Sequence, residues 1–178
     1  KATLAYNYAP KELYLEPFKK LIKSRSPWLR MIKDLNFNPV PSQLNFSTDF
    51  IRQYGETTLR AIGNDPSELV NLPTTYDKFF TWDRFYSLRW NPTRSIGIDF
   101  NAINNARIDE PPGEISKGET RDSVITNLLD FGRTTRYNHT FNANYNTPLN
   151  KIPFLDWAQA RASYGSSYTW TAGPLAQI

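Results

Sequence analysis

Hydrophobic and polar residues alternate with a period of two along much of this chain. The clearest stretch runs from Arg133 to Asn146, "RTTRYNHTFNANYN", where aromatic residues alternate with amides and hydroxyls. Because successive side chains of a strand point to opposite sides, this pattern indicates a strand with one aromatic and one polar side. The same alternation predicts six strands, over residues 2–8, 43–54, 80–90, 95–108, 133–146 and 158–170.

The lengths of the strands and of their connections favour a membrane barrel. Several strands reach the roughly 9–11 residues of a tilted transmembrane strand, against about 5–6 for an ordinary one. A tight turn predicted at Asn91–Pro92 and a short link at 147–154 alternate with long polar loops at 55–77 and 109–132. Outer-membrane barrels have short periplasmic turns and longer extracellular loops. We therefore predict an all-β fold, a segment of a large antiparallel transmembrane β-barrel, with both long loops extracellular.

In such a barrel the two sides of each strand meet lipid and a wet lumen. The residues predicted to face lipid or its interface are Phe46, Phe50, Trp82, Tyr86, Trp90, Ile98, Phe100, Tyr137, Phe141, Tyr145, Tyr164 and Trp170. Those predicted to face the lumen are Asp83, Asp99, Asn101, Arg136, Asn138, Thr140, Asn142, Gln159 and Arg161.

Arg84 is the exception, since the alternation places it on the aromatic side of the third strand. An arginine at the bilayer midplane costs roughly 2–4 kcal/mol. We expect it to reach an interface, to meet a partner protein, or to mark a β-bulge.

The predicted strands do not make a complete barrel, because the smallest known membrane barrels have about eight. An open sheet edge in lipid would leave backbone groups unpaired, at several kcal/mol each. The chain begins with Lys1 and ends abruptly, so we interpret residues 1–178 as a single segment of a larger barrel.

Residues 10–35 interrupt the alternation and are predicted to form a periplasmic helical insertion. Pro17 is a favourable first helical residue, and Ser26 followed by Pro27 is a favourable start for a second helix. The apolar residues predicted to form a docking stripe are Phe18, Leu21, Ile22, Trp28 and Ile32. With neighbouring lysines, this stripe suits an anionic membrane surface or an acidic partner, or else packs against the barrel's own rim. A third helix is predicted at 119–129.

The sequence contains few candidates for catalysis. There is no cysteine, which excludes disulfides and thiol chemistry, and the single histidine, His139, lies on the aromatic side. Asp83 and Asp99 share the polar side and resemble a glycosidase pair, but bonding to Arg89 or Arg107 is the favoured interpretation. We predict no enzyme activity, no metal and no cofactor.

The remaining composition narrows the possible partners. The formal net charge of +4 is modest, so a nucleic-acid partner is disfavoured. No apolar run approaches the 18 or so residues that a transmembrane helix needs.

Three stretches resemble a known family. They are "EPFKKLIKSRSPWLR" (16–30), "NFNPVPSQLNFSTDFIRQYGETTLR" (36–60) and "FFTWDRFYSLRWNPTRSIGIDFNAINNARIDEP" (79–111). In combination they are similar to the gliding-motility SprA (Sov) family, the translocon barrels of the type 9 secretion system. The similarity extends over nearly all of this chain and over a small part of the much longer family proteins.

The resemblance implies a place in the outer membrane of a Gram-negative bacterium of the Bacteroidota and a role in protein secretion and gliding motility. It implies a giant barrel that exports folded cargo carrying a C-terminal signal domain. The expected partners are outer-membrane lipid, the rest of the same barrel, a PorV-type barrel at a lateral opening and a periplasmic plug protein.

Two other functions fit the alternation. A TonB-dependent-type uptake barrel would have the same strands. A soluble β-rich carbohydrate-binding module would use the exposed aromatic residues as platforms for sugars.

Overall fold

Six strands form one antiparallel sheet, in which each strand pairs with the next along the chain. The computed structural model describes residues 1–21, 29–58, 74–115, 118–152, 154–155 and 157–173. The strands are β1 (Ala2–Tyr8), β2 (Gln43–Thr57), β3 (Thr75–Thr93), β4 (Ile96–Arg107), β5 (Arg133–Thr147) and β6 (Ala160–Thr171). The sheet is not closed into a barrel, and β1 and β6 form its two edges. The predicted all-β antiparallel fold is confirmed, whereas its place in a larger barrel stays a prediction.

The registers keep the two sides of the sheet distinct from one edge to the other. Phe46 lies opposite Tyr86, Ile98 opposite Ala143, and Tyr137 opposite Trp170. Directly opposed residues of antiparallel strands share one side of the sheet. We call the side with Phe46 and Tyr86 the aromatic face, and the opposite side the polar face.

The turn between β3 and β4 differs from the prediction. It lies at Arg94–Ser95 and not at Asn91–Pro92, because β3 continues through the proline. A register shift between Trp90 and Thr93 accommodates the missing N–H of the proline.

Other strand ends also differ from their predicted positions. β2 and β3 extend further than expected, with Gly55 paired to Asp77, so the loop predicted at 55–77 is shorter and its residues 59–73 lie outside the described part of the chain. β4 ends before Ile108, and β6 begins after Gln159, so this predicted lumen-facing residue does not belong to a strand. The strand ends are set by backbone pairing between neighbouring strands, and the alternation of residues along one strand carries no information about that pairing.

The insertion between β1 and β2 is only partly helical among its described residues. It contains α1 (Pro17–Leu21) and α2 (Arg30–Lys33). Leu15 and Phe37 form an isolated bridge, with backbone N···O distances of 2.8 and 2.9 Å. We call the two joined segments, residues 12–16 and 34–38, the rim ribbon. The sequence predicted helices here and missed this ribbon.

The predicted helix in the second long loop is present as α3 (Gly118–Leu129). Two residues with positive φ end it, Phe131 at 63° and Gly132 at 67°, and the Gly132 N–H donates to the Asn127 carbonyl at 2.9 Å. A Cβ on Gly132 would lie 3.0 Å from the carbonyl oxygen of Arg107. Glycine is therefore required both by the left-handed conformation and by the close approach of β4.

Few side chains are buried, because a single sheet has no second layer packed along it. Among the described residues the buried apolar side chains are Ala102, Ala106 and Ile108, and the buried polar ones are Asn38, Thr48 and Arg84. None of the described helices is long and apolar enough to cross a bilayer. The candidate functional surfaces are therefore the two broad faces of the sheet.

Candidate functional site

The predicted lipid-facing side chains all lie on the aromatic face. Cross-strand ring pairs extend along it, with centroids 5.3 Å apart for Phe46 and Tyr86 and 6.2 Å apart for Phe141 and Tyr164. These separations are typical of favourable aromatic pairs, each worth about 0.5–1.5 kcal/mol beyond burial. The predicted residues on this face are Phe46, Phe50, Trp82, Tyr86, Trp90, Ile98, Phe100, Tyr137, Phe141, Tyr145, Tyr164 and Trp170.

The predicted lumen-facing strand residues share the polar face. They are Asp83, Asp99, Asn101, Arg136, Asn138, Thr140, Asn142 and Arg161. Polar side chains bond across the strands here, as in the 2.6 Å bond from the Thr3 hydroxyl to Asp49.

Asp83 and Asp99 do not form a glycosidase pair. Asp99 accepts a 2.8 Å bond from Arg89, as predicted, whereas Asp83 accepts a 2.7 Å bond from Asn105 and not from an arginine. The register separates the two carboxylates by six residues along the strands, roughly 20 Å, far more than the ~5–9.5 Å of glycosidase carboxylates.

The polar face has an apolar exception that the sequence prediction missed. Phe85 and Ile103 are directly opposed on it, and Phe79 lies further along β3. Phe85 and Ile103 help to line a groove of about 580 Å³ that otherwise contains mostly amides and small side chains. The sequence signal for this exception was the presence of Phe79 and Phe85 at odd-numbered positions of the third strand, where the alternation predicts polar residues.

Charged residues of the aromatic face are confined to the end near the long connections. We call the part level with Tyr86–Trp90 of β3 and His139–Tyr145 of β5 the uncharged band, because it contains no Asp, Glu, Lys or Arg. Arg84 lies on the same face just beyond it, and Arg52 and Lys78 lie further toward the long connections.

Arg84 is covered by the chain's own second long loop. It is 7% exposed, and its guanidinium lies 4.7 Å from the Trp82 ring centroid and 5.5 Å from that of Phe131. Its Nη2 donates to the Phe131 carbonyl at 3.2 Å, and the two rings stack 5.5 Å apart. The pairing of β3 with β2 and β4 is continuous around Arg84, so a β-bulge in β3, one of the three alternatives, does not explain its place on the aromatic face.

Residues 108–115 cover the other two cations. Arg52 pairs with Glu110 at 2.7 Å, and the Lys78 ammonium donates to the backbone carbonyls of Pro111 and Gly113. In the same loop the Arg133 guanidinium donates to Asp109 at 2.8 and 3.1 Å and lowers the pKa of that carboxyl. Arg52, Lys78 and Arg84 are thus all contacted by protein groups of the second long loop.

At the opposite end, the rim ribbon is bonded to the β3–β4 turn. The Asn38 N–H donates to the Pro92 carbonyl at 2.7 Å, and Trp90 Nε1 donates to the Asn38 carbonyl at 2.9 Å. The Arg94 N–H donates to the Asn36 side chain at 2.8 Å. The ribbon is therefore held at the Trp90 end of the aromatic face.

Two carboxylates strengthen this attachment. Glu12 accepts a 2.9 Å bond from Asn91, and Glu16 accepts a 2.7 Å bond from Arg94. The Asn91 bond is the largest cause that lowers the pKa of Glu12. Bonds from Lys19 and then from Arg94 lower the pKa of Glu16.

The predicted docking residues are only partly within the described chain. Phe18 on α1 and Ile32 on α2 are exposed. Leu21 ends α1, and its side chain lies outside the description, as do Ile22 and Trp28 entirely.

His139 lies among aromatic rings. The ring centroids of Phe100, Tyr137 and Tyr168 are 5.8, 5.4 and 5.5 Å from its own. Within the residues that the structure describes, no three His, Cys, Asp or Glu side chains are grouped so as to hold a metal ion. The arrangement suits packing of the imidazole on the aromatic face.

Comparison with known proteins finds no family model that matches this chain and no match among curated proteins. The functional argument therefore depends on the two faces, the two rims and the sequence resemblance described above.

A double-mutant cycle should show that Arg84 holds the second long loop. We expect Arg84→Met and Phe131→Ala to couple by about 1–2 kcal/mol, because the guanidinium is shielded from water between two rings. Hydrogen exchange of the α3 amides in the intact protein measures this coupling.

The matched control is Arg52→Met with Phe80→Ala. The Arg52 guanidinium lies 5.7 Å from the Phe80 ring, but its side chain is 45% exposed. We expect coupling of at most about 0.5 kcal/mol there. Equal coupling in both cycles would contradict a special role for Arg84.

Attachment of the rim ribbon should weaken in acid. Because the pKa values of Glu12 and Glu16 are lowered in the folded protein, their contribution is present above the ordinary glutamate pKa of about 4.3 and is lost as the pH falls through the lowered values. We expect less protection of the Asn38 amide, measured against the exchange rate of the unfolded chain at the same pH, in that acid range and already at neutral pH in Glu12→Gln.

Glu56→Gln at the far end of β2 is the control for this experiment. It should leave exchange of the Asn38 amide unchanged at neutral pH. Equal protection of Asn38 in the parent protein and in Glu12→Gln would refute the electrostatic attachment.

Proposed function

We propose that this chain is part of an outer-membrane protein-conducting channel, a segment of a large β-barrel that exports folded cargo proteins. The observation that carries the membrane part is the separation of one sheet into an aromatic face with an uncharged band and a polar face. A barrel wall between lipid and a wet interior needs this combination.

The aromatic face requires a cover along its uncharged band. Tyr6, Tyr164 and Tyr168 are each at least half exposed, and burial of such side chains contributes about 25 cal/mol per Å². From His139 to Tyr145 the uncharged band extends about 20 Å along β5, the same order as the ~25 Å apolar band of outer-membrane barrels. Lipid is the cover that matches both the height and the lack of charge.

The edges of the sheet require further strands. The outer edges of β1 and β6 present a row of backbone groups with no strand beside them in the described chain. In lipid each unpaired group costs several kcal/mol, so these edges must pair with other strands. The remaining strands of the same barrel supply the partners for these backbone groups.

The polar face suits a water-filled interior. Its charges are of both signs, and Arg89 and Asp99 form a 2.8 Å pair. Amide and hydroxyl groups occupy much of the remaining surface. An interior of this kind offers passing proteins no strong field of one sign.

The resemblance of residues 36–60 and 79–111 to the SprA (Sov) family supports the more specific role. On this proposal the barrel belongs to the type 9 secretion system of a Bacteroidota outer membrane and serves gliding motility. Its partners are a PorV-type barrel at a lateral opening, a periplasmic plug protein and cargo with a C-terminal signal domain.

Single cysteines should test the facing of the sheet, since the sequence has none of its own. In the intact protein in its native membrane, we expect Asn101→Cys and Asn142→Cys to react with a membrane-impermeant thiol reagent. The adjacent Phe100→Cys and Phe141→Cys should react only with a lipid-soluble one. Equal labelling of both pairs would exclude the barrel and favour a soluble module.

Export itself should be visible by cross-linking. A photoreactive amino acid at Asn142 should capture secreted proteins during export, whereas the same group at Phe141 should capture lipid or neighbouring membrane protein. If Asn142 captures no secreted protein while the cysteine pattern holds, the chain forms a barrel of another function, such as nutrient uptake.

A further inference from the structure

The rim ribbon has one polar and one apolar side, and its polar side is the less exposed one. Tyr14, Glu16, Asp34, Asn36 and Asn38, at alternating positions, are buried or half-buried. Polar side chains of this set bond to the rim, as in the pairs of Glu16 with Arg94 and Asp34 with Lys151, at 2.7 and 3.1 Å. The polar side of the ribbon therefore faces the protein.

The opposite side of the ribbon is apolar and faces away. Leu13, Leu15, Leu35 and Phe37 are 56, 49, 50 and 48% exposed. Phe18 and Ile32, on the two short helices next to the ribbon, are exposed as well. The stripe predicted from the sequence thus does not pack on the barrel's own rim through its described residues, because the rim is occupied by polar contacts.

Charge identifies what this apolar side meets. The carboxylates of Glu12, Glu16 and Asp34 are all engaged by groups of this chain. Lys19 is bonded to Glu16 at 2.6 Å, whereas Lys11 and Lys20 are exposed, so the outward charge beside the apolar side chains is positive. Apolar side chains next to exposed lysines are typical of elements that lie in the headgroup region of an anionic leaflet.

The position of the ribbon also indicates that its apolar side meets the headgroup region of the membrane. Trp90 is on the aromatic face, and its indole N–H donates to Asn38 of the ribbon. The apolar side of the ribbon is therefore attached at the end of the uncharged band, where tryptophan and tyrosine residues of membrane proteins mark the interface.

We propose that the rim ribbon lies in the headgroup region of the leaflet next to the short connections, with its apolar side chains against the lipid and the neighbouring Lys11 and Lys20 at lipid phosphates. This inference rests on the proposed membrane barrel. It assigns the ribbon to anionic phospholipid and not to a protein partner.

Spin labels measure the depth of the ribbon directly. Leu35→Cys and Phe37→Cys are labelled in the intact protein in bilayers of phosphatidylethanolamine and phosphatidylglycerol. We expect oxygen to collide with both labels more often, and a water-soluble nickel chelate several-fold less often, than with a label at Gly113→Cys in the long loop. A label at Phe141→Cys in the uncharged band should be deeper than both.

Each other outcome overturns the inference in a different way. Nickel collisions equal to those at Gly113 would place the ribbon in water. Exclusion of both oxygen and nickel would show that protein covers it. If the ribbon labels fail while Phe141 is in lipid, the barrel proposal stands alone, whereas a wet Phe141 label would refute the barrel itself.

Two further variants control for folding and for charge. Leu13→Cys repeats the measurement on the other segment of the ribbon, and heat-modifiable migration checks that each barrel is assembled. Lys11→Gln with Lys20→Gln should make the Phe37 label shallower in phosphatidylglycerol but not in phosphatidylcholine. Insensitivity to lipid charge would overturn the assignment to anionic lipid.

Discussion

The structure depends on the coupling of side-chain facing to backbone pairing in a single sheet. Since the period of a strand is two, a slip of one residue between neighbouring strands would move a whole set of aromatic residues to the polar side. The registers from β1 to β6 avoid such a slip throughout the uncharged band. Both register shifts, between Trp90 and Thr93 and between Asn105 and Ala106, lie outside the rows Tyr86–Trp90 of this band. Irregular backbone is thus placed where it does not disturb the separation of faces.

The same constraint explains the covering at the long-connection end. A cation on the aromatic face cannot change sides without a register change, so Arg84 has to be satisfied where it lies. Phe131 contacts the guanidinium with its ring and accepts one hydrogen bond from it, although a non-glycine residue at φ 63° costs about 1–2 kcal/mol. The indole of Trp82 also donates to the Thr48 hydroxyl at 2.5 Å, which completes a small polar cluster under the loop. At this border, the backbone strain at Phe131 is therefore offset by its contacts with Arg84, which is distant in sequence.

The elements that sequence reasoning could predict are those whose information is local. Alternation identified all six strands and their faces, and helical spacing identified α3. The cover over Arg84 could not be predicted, because Phe131 is 47 residues away along the chain. The rim ribbon was missed for another reason: Phe18, Leu21 and Ile22 have helical spacing, whereas the alternation of Leu13, Leu15, Leu35 and Phe37 appears only when the two segments are joined.

Hydrogen bonds and ion pairs have opposite effects at the two ends of the aromatic face. At the long connections, loop carbonyls and carboxylates turn inward and remove charge from the face, as with Arg52 and Glu110. At the short connections, the ribbon turns its polar atoms inward and adds apolar side chains beyond Trp90. Unpaired charge next to the band would be costly in lipid, whereas apolar groups at its rim extend it. The two devices together make the band asymmetric, covered by protein at one border and continued by the ribbon at the other.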